Sequence, residues 1–186
     1  MTRPLVLVAH AAEAAHLPDD LDLVLTGVGM VQAAYATTRA ILERAPRTEQ
    51  RAELLVVNLG SVGALHAHLE GIHEPSAVIN RDVDEDMLRA LGFTPHNRIA
   101  LDGDGPVLGT GDAFVAGGPA RELLLDRCEL VDMEGFAIAY ACRELGVRLR
   151  MIKHVSDAAD ERALAWVDLV DLSAQALARA YADRVF

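Results

Sequence analysis

Short apolar runs alternate with segments of helical spacing along most of this chain. An apolar run that ends in Gly, Ser, Asn or Asp is typical of a buried strand, whereas apolar residues three to four positions apart are typical of a helix. On these criteria we predict strands over residues 4–9, 21–26, 54–58, 76–80, 129–132 and 148–155. We predict helices over residues 30–44, 85–91, 120–126, 135–145 and 164–182.

The alternation of strands and helices favours the α/β class, with a mostly parallel central sheet between two layers of helices. No internal repeat, low-complexity tract or linker interrupts the 186 residues. This length suits one domain, since domains commonly have roughly 100–200 residues. We therefore predict a single-domain three-layer sandwich over residues 1–186, in which residues 60–63 (GSVG) form a loop after the third strand.

Charge and composition exclude several classes of partner. The formal net charge of −11 argues against a nucleic acid polymer, and the 4% of aromatic residues provides no stacking platform for single strands. No apolar run approaches the roughly 20 residues that a membrane span needs, and no basic-then-apolar leader precedes the first strand. We expect a cytoplasmic protein without a membrane partner, in which Cys128 and Cys142 are buried thiols.

Acidic residues follow two of the predicted strands. Residues 132–135 (DMEG) come directly after one strand, and Ser156 and Asp157 come after another. The carboxyl ends of neighbouring strands meet at the edge of an open α/β sheet, where such sheets place their ligands. The alternative is that Glu134 and Asp157 merely begin helices, where acidic side chains are common.

Five segments resemble, in order, the purine nucleoside phosphorylase and nucleosidase superfamily, and methylthioadenosine/S-adenosylhomocysteine nucleosidase most of all. They are residues 26–34 (TGVGMVQAA), 58–65 (NLGSVGAL), 110–115 (TGDAFV), 132–135 (DMEG) and 156–160 (SDAAD). The resemblance implies a nucleoside phosphorylase-like fold. This chain is shorter than family members usually are, and the deficit falls between Leu65 and Gly109.

The resemblance also implies hydrolysis of the N-glycosidic bond of a purine nucleoside, a reaction whose transition state has oxocarbenium character. It assigns Asp157 as the acid that protonates N7 of the leaving base, and Glu134 as the acceptor of hydrogen bonds from the ribose hydroxyls. Met133 would pack on the sugar. Glu13 would activate the attacking water, although an ordinary solvent-facing helix residue is the alternative. Two carboxylates perform the related tasks in glycoside hydrolysis.

Further substrate contacts follow from the same resemblance. The residues concerned are His10, Ser61, Phe114, Val115, Lys153, Ser156 and Trp166. Phe114 would stack on the base, while the backbone of Phe114 and Val115 reads the base edge; a core Phe is the alternative. Ser156 would orient Asp157. Lys153 replaces a family Arg, so the positive charge remains but the bidentate fork is lost.

Several alternatives stay open at this point. The first loop contains no Arg, and Asn58 stands where phosphorylases carry an Arg, so hydrolysis is favoured over phosphorolysis. The substrate could instead be futalosine or another 5′-substituted nucleoside. The shortened middle and Lys153 also allow a nucleoside-binding module without catalysis.

No cofactor or metal is expected. His66, His68 and His73, with Glu70 and Glu74, match no standard zinc spacing, and we interpret them as a solvated loop. The expected partners are a small purine nucleoside and a second copy of the chain. The resemblance implies a homodimer, and an apolar helical surface over residues 31–41 could supply the contact.

Overall fold

A mostly parallel β-sheet forms the centre of the protein in a computed structural model, which describes residues 3–185 except for the side chain of Asp168. The strands are β1 (Leu5–Val8), β2 (Asp22–Leu25), β3 (Leu55–Ala64), β4 (Ile72–His73), β5 (Ala77–Asn80), β6 (Arg98–Ala100), β7 (Leu108–Thr110), β8 (Leu130–Asp132) and β9 (Arg148–Asp157). The helices are α1 (Met30–Arg44), α2 (Thr48–Glu53), α3 (Glu85–Ala90), α4 (Gly118–Glu122), α5 (Gly135–Leu145) and α6 (Trp166–Val185). Short 3₁₀ turns cover Ala11–Ala14 and Glu161–Ala165.

The sheet branches at β3. Its main path runs β2-β1-β3-β8-β7-β5-β6, while β9 pairs with β3 and β4. Residues 56–58 of β3 pair parallel with β1, and residues 55–63 pair parallel with β9. The last two residues of β3 pair antiparallel with β8. Because β1, β3 and β9 run in the same direction, their carboxyl ends meet at one edge of the sheet.

Helices cover both faces of this sheet. Side chains alternate along a strand, so Leu5 and Leu7 pack in a buried cluster with α1 and α5, whereas Val6 and Val8 pack in a cluster with α6. This arrangement is the predicted three-layer sandwich. Among residues 3–185, no helix combines the length and the apolar character that would let it cross a membrane.

The predicted elements are present, but their ends differ in informative ways. The helix bounds Met30–Arg44 and Gly135–Leu145 agree with the prediction. The predicted loop at residues 60–63 is wrong, because β3 continues through it and pairs with β9. A Cβ on Gly60 would lie 3.2 Å from the Lys153 Nζ. This glycine therefore marks a close approach rather than a turn.

Candidate active site

Residues near or after the carboxyl ends of β1, β2, β3, β5, β7, β8 and β9 surround one open cleft. Every predicted site residue except Lys153 lines it. The lining residues are Ala9, His10, Glu13, Val28, Ser61, Val62, Gly63, Arg81, Phe114, Val115, Val131, Asp132, Met133, Glu134, Ser156, Asp157 and Trp166. Residues far apart in sequence thus meet where the strands end, as open α/β sheets favour.

Glu13 enters the cleft from the 3₁₀ turn that follows β1. Its Oε1 accepts hydrogen bonds of 2.7 Å from both the backbone N–H and the hydroxyl of Ser61, and its Oε2 accepts a 3.3 Å bond from the His10 N–H. The residue is only 3% exposed. Glu13 is therefore not an ordinary solvent-facing residue, and its carboxylate is held in a fixed orientation.

Glu134 directly precedes α5, yet its side chain does not cap that helix. Asp132 does so instead, accepting a 3.0 Å bond from the Gly135 N–H. The Glu134 Oε1 reaches across the cleft and accepts a 2.8 Å bond from the Gly29 N–H before α1. Burial, and next the negative charge of Asp132, raise the Glu134 pKa from 4.5 to about 7.

Asp157 is the last residue of β9. Its Oδ2 accepts a 2.7 Å bond from the Ser156 hydroxyl, and its Oδ1 accepts a 2.9 Å bond from the Ala159 N–H. Ala159 is fully buried and has a φ of 49°, a left-handed conformation that is uncommon outside glycine. The backbone after β9 therefore folds back to fix the Asp157 carboxyl.

Lys153 does not line the cleft, contrary to the expectation that it contacts substrate. It lies beneath the cleft on β9, and its Nζ donates a 2.9 Å bond to the Asp132 Oδ2. Both side chains are 2% exposed. A buried ammonium is costly without a partner, so Lys153 is committed to Asp132. The other Asp132 oxygen accepts a 2.6 Å bond from Thr110.

Aromatic side chains form two walls of the cleft. The Trp166 Nε1 donates a 2.9 Å bond to the Ser61 hydroxyl, and the Trp166 ring meets the His10 ring edge-on at 5.8 Å. Phe114 is 52% exposed, so it is not a core residue, whereas the neighbouring Val115 is buried. A ring that remains half-exposed at a cleft offers a flat apolar face to a ligand.

Sequence reasoning missed several lining residues, above all Asp132 and Arg81. Asp132 stands in the same motif as Glu134, and its place at a strand end was a usable signal. Arg81 is a charged residue directly after a predicted strand, which was a second signal. Val28, Val62 and Gly63 carry no chemical group that would have marked them.

The histidines offer no metal site within residues 3–185. No group of three His, Cys, Asp or Glu side chains in that range is placed to hold a metal ion. The His66 and His68 rings lie 5.9 Å apart, and His73 belongs to β4. Glu74 instead forms ion pairs of 2.8 and 2.9 Å with Arg150 and Arg184.

Sequence comparison relates the chain to nucleoside-cleaving proteins. Residues 104–185 match the family model described as the Phosphorylase superfamily. An aminodeoxyfutalosine nucleosidase of Helicobacter pylori strain J99 is 26% identical over 160 residues, which are 73% of this chain and 66% of that protein. The aminodeoxyfutalosine nucleosidase of Helicobacter pylori strain 26695 is 33% identical over 76 residues, which are 39% of this chain and 33% of that protein. The matched part thus spans about two thirds of the strain J99 protein and one third of the strain 26695 protein.

Structural comparison extends the likeness to the whole fold. A Neisseria meningitidis 5′-methylthioadenosine/S-adenosylhomocysteine nucleosidase, solved with methylthio-immucillin-A, has a TM-score of 0.80 at 23% identity and covers 100% of this chain and 99% of its own. A futalosine hydrolase of Helicobacter pylori has a TM-score of 0.76 at 21% identity, and the match covers 94% of this chain and 93% of the hydrolase. The predicted nucleoside phosphorylase-like fold is confirmed.

The raised pKa of Glu134 predicts a pH-dependent stability. The folded protein binds the Glu134 proton more tightly than the unfolded chain does. The resulting contribution to the free energy of unfolding is therefore fully present below pH 4.5 and is lost as the pH rises through 7. We expect wild type to lose up to about 3 kcal/mol of unfolding free energy relative to Glu134→Gln between pH 4 and 8. Urea denaturation of both proteins across this range measures it, and a pH-independent difference would contradict the assignment.

The buried ion pair predicts a large effect of Lys153→Met. This change leaves the Asp132 carboxylate buried without its cation, so we expect the free energy of unfolding to fall by about 3–5 kcal/mol. Lys153→Arg keeps the charge and should lose less. The double variant Asp132→Asn, Lys153→Met removes both charges and should be more stable than Lys153→Met in urea denaturation. If the double variant is no more stable than Lys153→Met, the unpaired Asp132 carboxylate is not the cause of the lost stability.

Proposed function

We propose that residues 1–186 form one purine nucleosidase domain, which hydrolyses the N-glycosidic bond of a nucleoside of the 5′-methylthioadenosine or S-adenosylhomocysteine type. The observation that carries the proposal is the convergence of Glu13, Glu134 and Asp157 on one cleft with an exposed aromatic wall. Each carboxyl group is anchored by different neighbours, so the three can perform different tasks. The matches to nucleosidases support the same reaction class.

Asp157 is the proposed general acid. Positive charge develops on the ribose as the bond to the base breaks, and protonation of N7 makes the purine a better leaving group. The Ser156 hydroxyl and the Ala159 N–H hold the two Asp157 oxygens, which fixes the direction in which the carboxyl group faces the cleft. A positioned acid of this kind contributes about 10²–10⁴-fold to the rate.

Glu134 is the proposed ribose ligand. Its Oε1 is engaged by Gly29, while no described residue donates a hydrogen bond to its Oε2, which is therefore available to the ribose hydroxyls. An ionised carboxylate at this place also stabilises the developing ribosyl cation. Met133 lines the same wall, and we assign it to pack against the sugar.

Glu13 is the proposed base that activates water. A water that attacks the anomeric carbon must lose a proton, and a fixed carboxylate within reach can accept it. The Trp166–Ser61–Glu13 chain of hydrogen bonds, with distances of 2.9 and 2.7 Å, keeps this carboxylate in place. Lys153 acts from beneath the cleft by balancing part of the negative charge through Asp132.

The cations near the cleft support hydrolysis rather than phosphorolysis. Arg81 is the one Arg or Lys among the described lining residues, and its guanidinium donates to the carbonyls of Gly111 and Ala113. Lys153 is already paired with Asp132. A phosphate nucleophile would therefore face Glu13 and Glu134 without a free cation to offset the repulsion.

A futalosine-type nucleoside is the second candidate substrate. The curated relatives are named aminodeoxyfutalosine nucleosidase, and one structural neighbour is a futalosine hydrolase. These compounds share the purine riboside and differ at the 5′ position. Phosphorolysis and nucleoside binding without turnover remain as competing outcomes of the experiment below. We place the enzyme in the cytoplasm, with which its buried free thiols Cys128 and Cys142 are compatible.

The first test is the release of free base from a panel of nucleosides. We expect adenine to appear from 5′-methylthioadenosine, S-adenosylhomocysteine or aminodeoxyfutalosine in phosphate-free buffer, and expect a chelator to leave the rate unchanged. Chromatographic assay of base and sugar products identifies the reaction. Turnover that requires phosphate would identify a phosphorylase, and binding without turnover would identify a binding module.

The second test separates the roles of Asp157 and Glu13. Asp157→Asn keeps the shape but cannot donate the proton, so we expect kcat to fall by about 10²–10⁴-fold while nucleoside binding persists. Glu13→Gln should also retain binding, because its partner is water. A nucleoside whose base leaves without protonation should partly rescue Asp157→Asn and not Glu13→Gln. Identical responses of the two variants to that substrate would refute the assignment.

The third test concerns a homodimer, which we propose on the basis of the exposed apolar face of α1. Val31 and Tyr35 are 79% and 68% exposed there, and the half-exposed Val28 continues the face into the cleft. We expect light scattering at micromolar concentration to give twice the mass of the 20.0 kDa chain. Val31→Glu should yield monomers, whereas Leu172→Glu on α6 should not. A monomeric wild type would contradict the proposal.

A further inference from the structure

The segment between β7 and α4 forms the aromatic wall of the cleft but has no regular secondary structure of its own. Two side chains that follow β5 hold its backbone. The Arg81 Nη2 donates to the Gly111 carbonyl at 3.0 Å and to the Ala113 carbonyl, and the Asp82 Oδ2 accepts a 2.8 Å bond from the Asp112 N–H. Arg81 and Asp82 therefore bind the backbone of three consecutive residues, 111–113. We call this pair of side chains the Arg81–Asp82 clamp.

The surroundings of the clamp are specialised for this contact. The Arg81 side chain is only 6% exposed, and its contact with the Asp82 carboxylate is a long 3.5 Å. Burying a guanidinium is costly unless its donors are used. Here the Nη2 donates to two carbonyls of the segment, whereas the buried Nε has no partner among the described residues. A Cβ on Gly111 would lie 2.3 Å from the Asp82 Oδ1 and 2.7 Å from the Arg81 Cζ. Only glycine permits this approach.

The clamped segment touches both halves of the proposed nucleoside site. Phe114 and Val115, which line the cleft, follow Ala113 directly. On the other side, the Asp112 Oδ1 accepts a 2.7 Å bond from the Met30 N–H, next to the Gly29 N–H that holds Glu134. Among the described residues, the hydrogen-bond partners of the Asp157 and Glu13 carboxyl groups do not include this segment.

We propose that Arg81, together with Asp82, is a positioning residue that sets the base-binding wall of the cleft and thereby the affinity for the purine base. The proposal rests on the proposed function, because it assumes that a purine lies against Phe114. An irregular segment places a ring and two backbone groups accurately only if its own polar groups are fixed, and a misplacement of about 1 Å costs on the order of 10²-fold. The clamp fixes the segment before any ligand arrives.

Hydrogen–deuterium exchange of the unliganded protein tests whether the clamp holds the segment. In Arg81→Met we expect the amides of residues 111–115 to exchange at least about tenfold faster than in wild type, because their open states become more populated. Arg81→Lys retains a charged donor and should be intermediate. Arg98→Met removes an exposed Arg from the adjacent strand β6 and serves as the matched control. Equal exchange in Arg81→Met and Arg98→Met would overturn the clamp.

Binding of adenine tests the consequence for the base. Trp166 is the single Trp of the chain and lines the cleft, so its fluorescence reports occupancy. We expect Arg81→Met to raise the adenine Kd and the KM for 5′-methylthioadenosine by about 10–100-fold. Its kcat at saturation should stay within about threefold, as expected for a loss of uniform binding. Arg81→Lys should recover part of the affinity, and Arg98→Met should match wild type.

The outcomes separate this proposal from the proposed function. Wild type that neither binds adenine nor releases it would overturn both. Wild type that binds adenine, with Arg81→Met binding it equally well, would overturn the positioning role alone, as would a fall in kcat with unchanged KM. If circular dichroism shows that Arg81→Met does not fold, Arg81→Lys and Asp82→Ala carry the test. Each should then weaken adenine binding relative to Arg98→Met.

Discussion

Acidic side chains buried at one end of the sheet are the constraint on which the rest of the site depends. Glu13, Asp132 and Glu134 are each less than 9% exposed, and Lys153 is the cation buried with them. One ammonium cannot balance three carboxylates. The backbone N–H groups of Gly29, Ser61 and Gly135 donate hydrogen bonds to oxygens of these three carboxylates. In addition, burial raises the pKa of Glu134 to about 7, so that this residue can hold a proton near neutral pH. The local backbone is therefore shaped by the carboxylates that it must solvate.

This constraint explains the glycines around the cleft. Gly29 has a φ of 95°, which lets its N–H face Glu134, and a Cβ there would lie 3.0 Å from the Asp112 Oδ1. Gly60 lets the Lys153 ammonium approach β3. In both places the absence of a side chain brings a charged group close to the backbone. The same two glycines appear in sequence as parts of apparent loops, although the second lies within a strand.

The part of the fold that sequence could predict is the part that local pattern determines. Helices α1 and α5 were predicted with their observed bounds because their apolar spacing is regular. Strands β4, β6 and β7 were missed, since a two-residue or three-residue strand leaves almost no pattern. The six-residue helix α2, which has no buried residue, was missed as well. Glu134 and Asp157 were found through the family motifs, although Asp132, in the same motif as Glu134, was missed. Arg81 was also missed. Its place directly after a predicted strand marked it as a candidate, but its contact with the carbonyls of a segment some thirty residues away leaves no local signal.

One of the departures that allowed a non-catalytic module, Lys153 in place of an Arg, has little weight in the structure. The change from Arg to Lys at position 153 loses a bidentate fork, but Asp132 and Lys153 meet at 2.9 Å in a fully buried pair, so the charge is preserved where it is needed. A binding module could use Glu134 to hold the ribose hydroxyls, but it would gain nothing from the buried carboxyl group of Glu13, because apolar side chains pack at lower cost. In the proposed reaction, a developing ribosyl cation and the water that attacks it benefit from Glu134 and Glu13 together. The cost of burying Glu13 therefore favours turnover over mere binding.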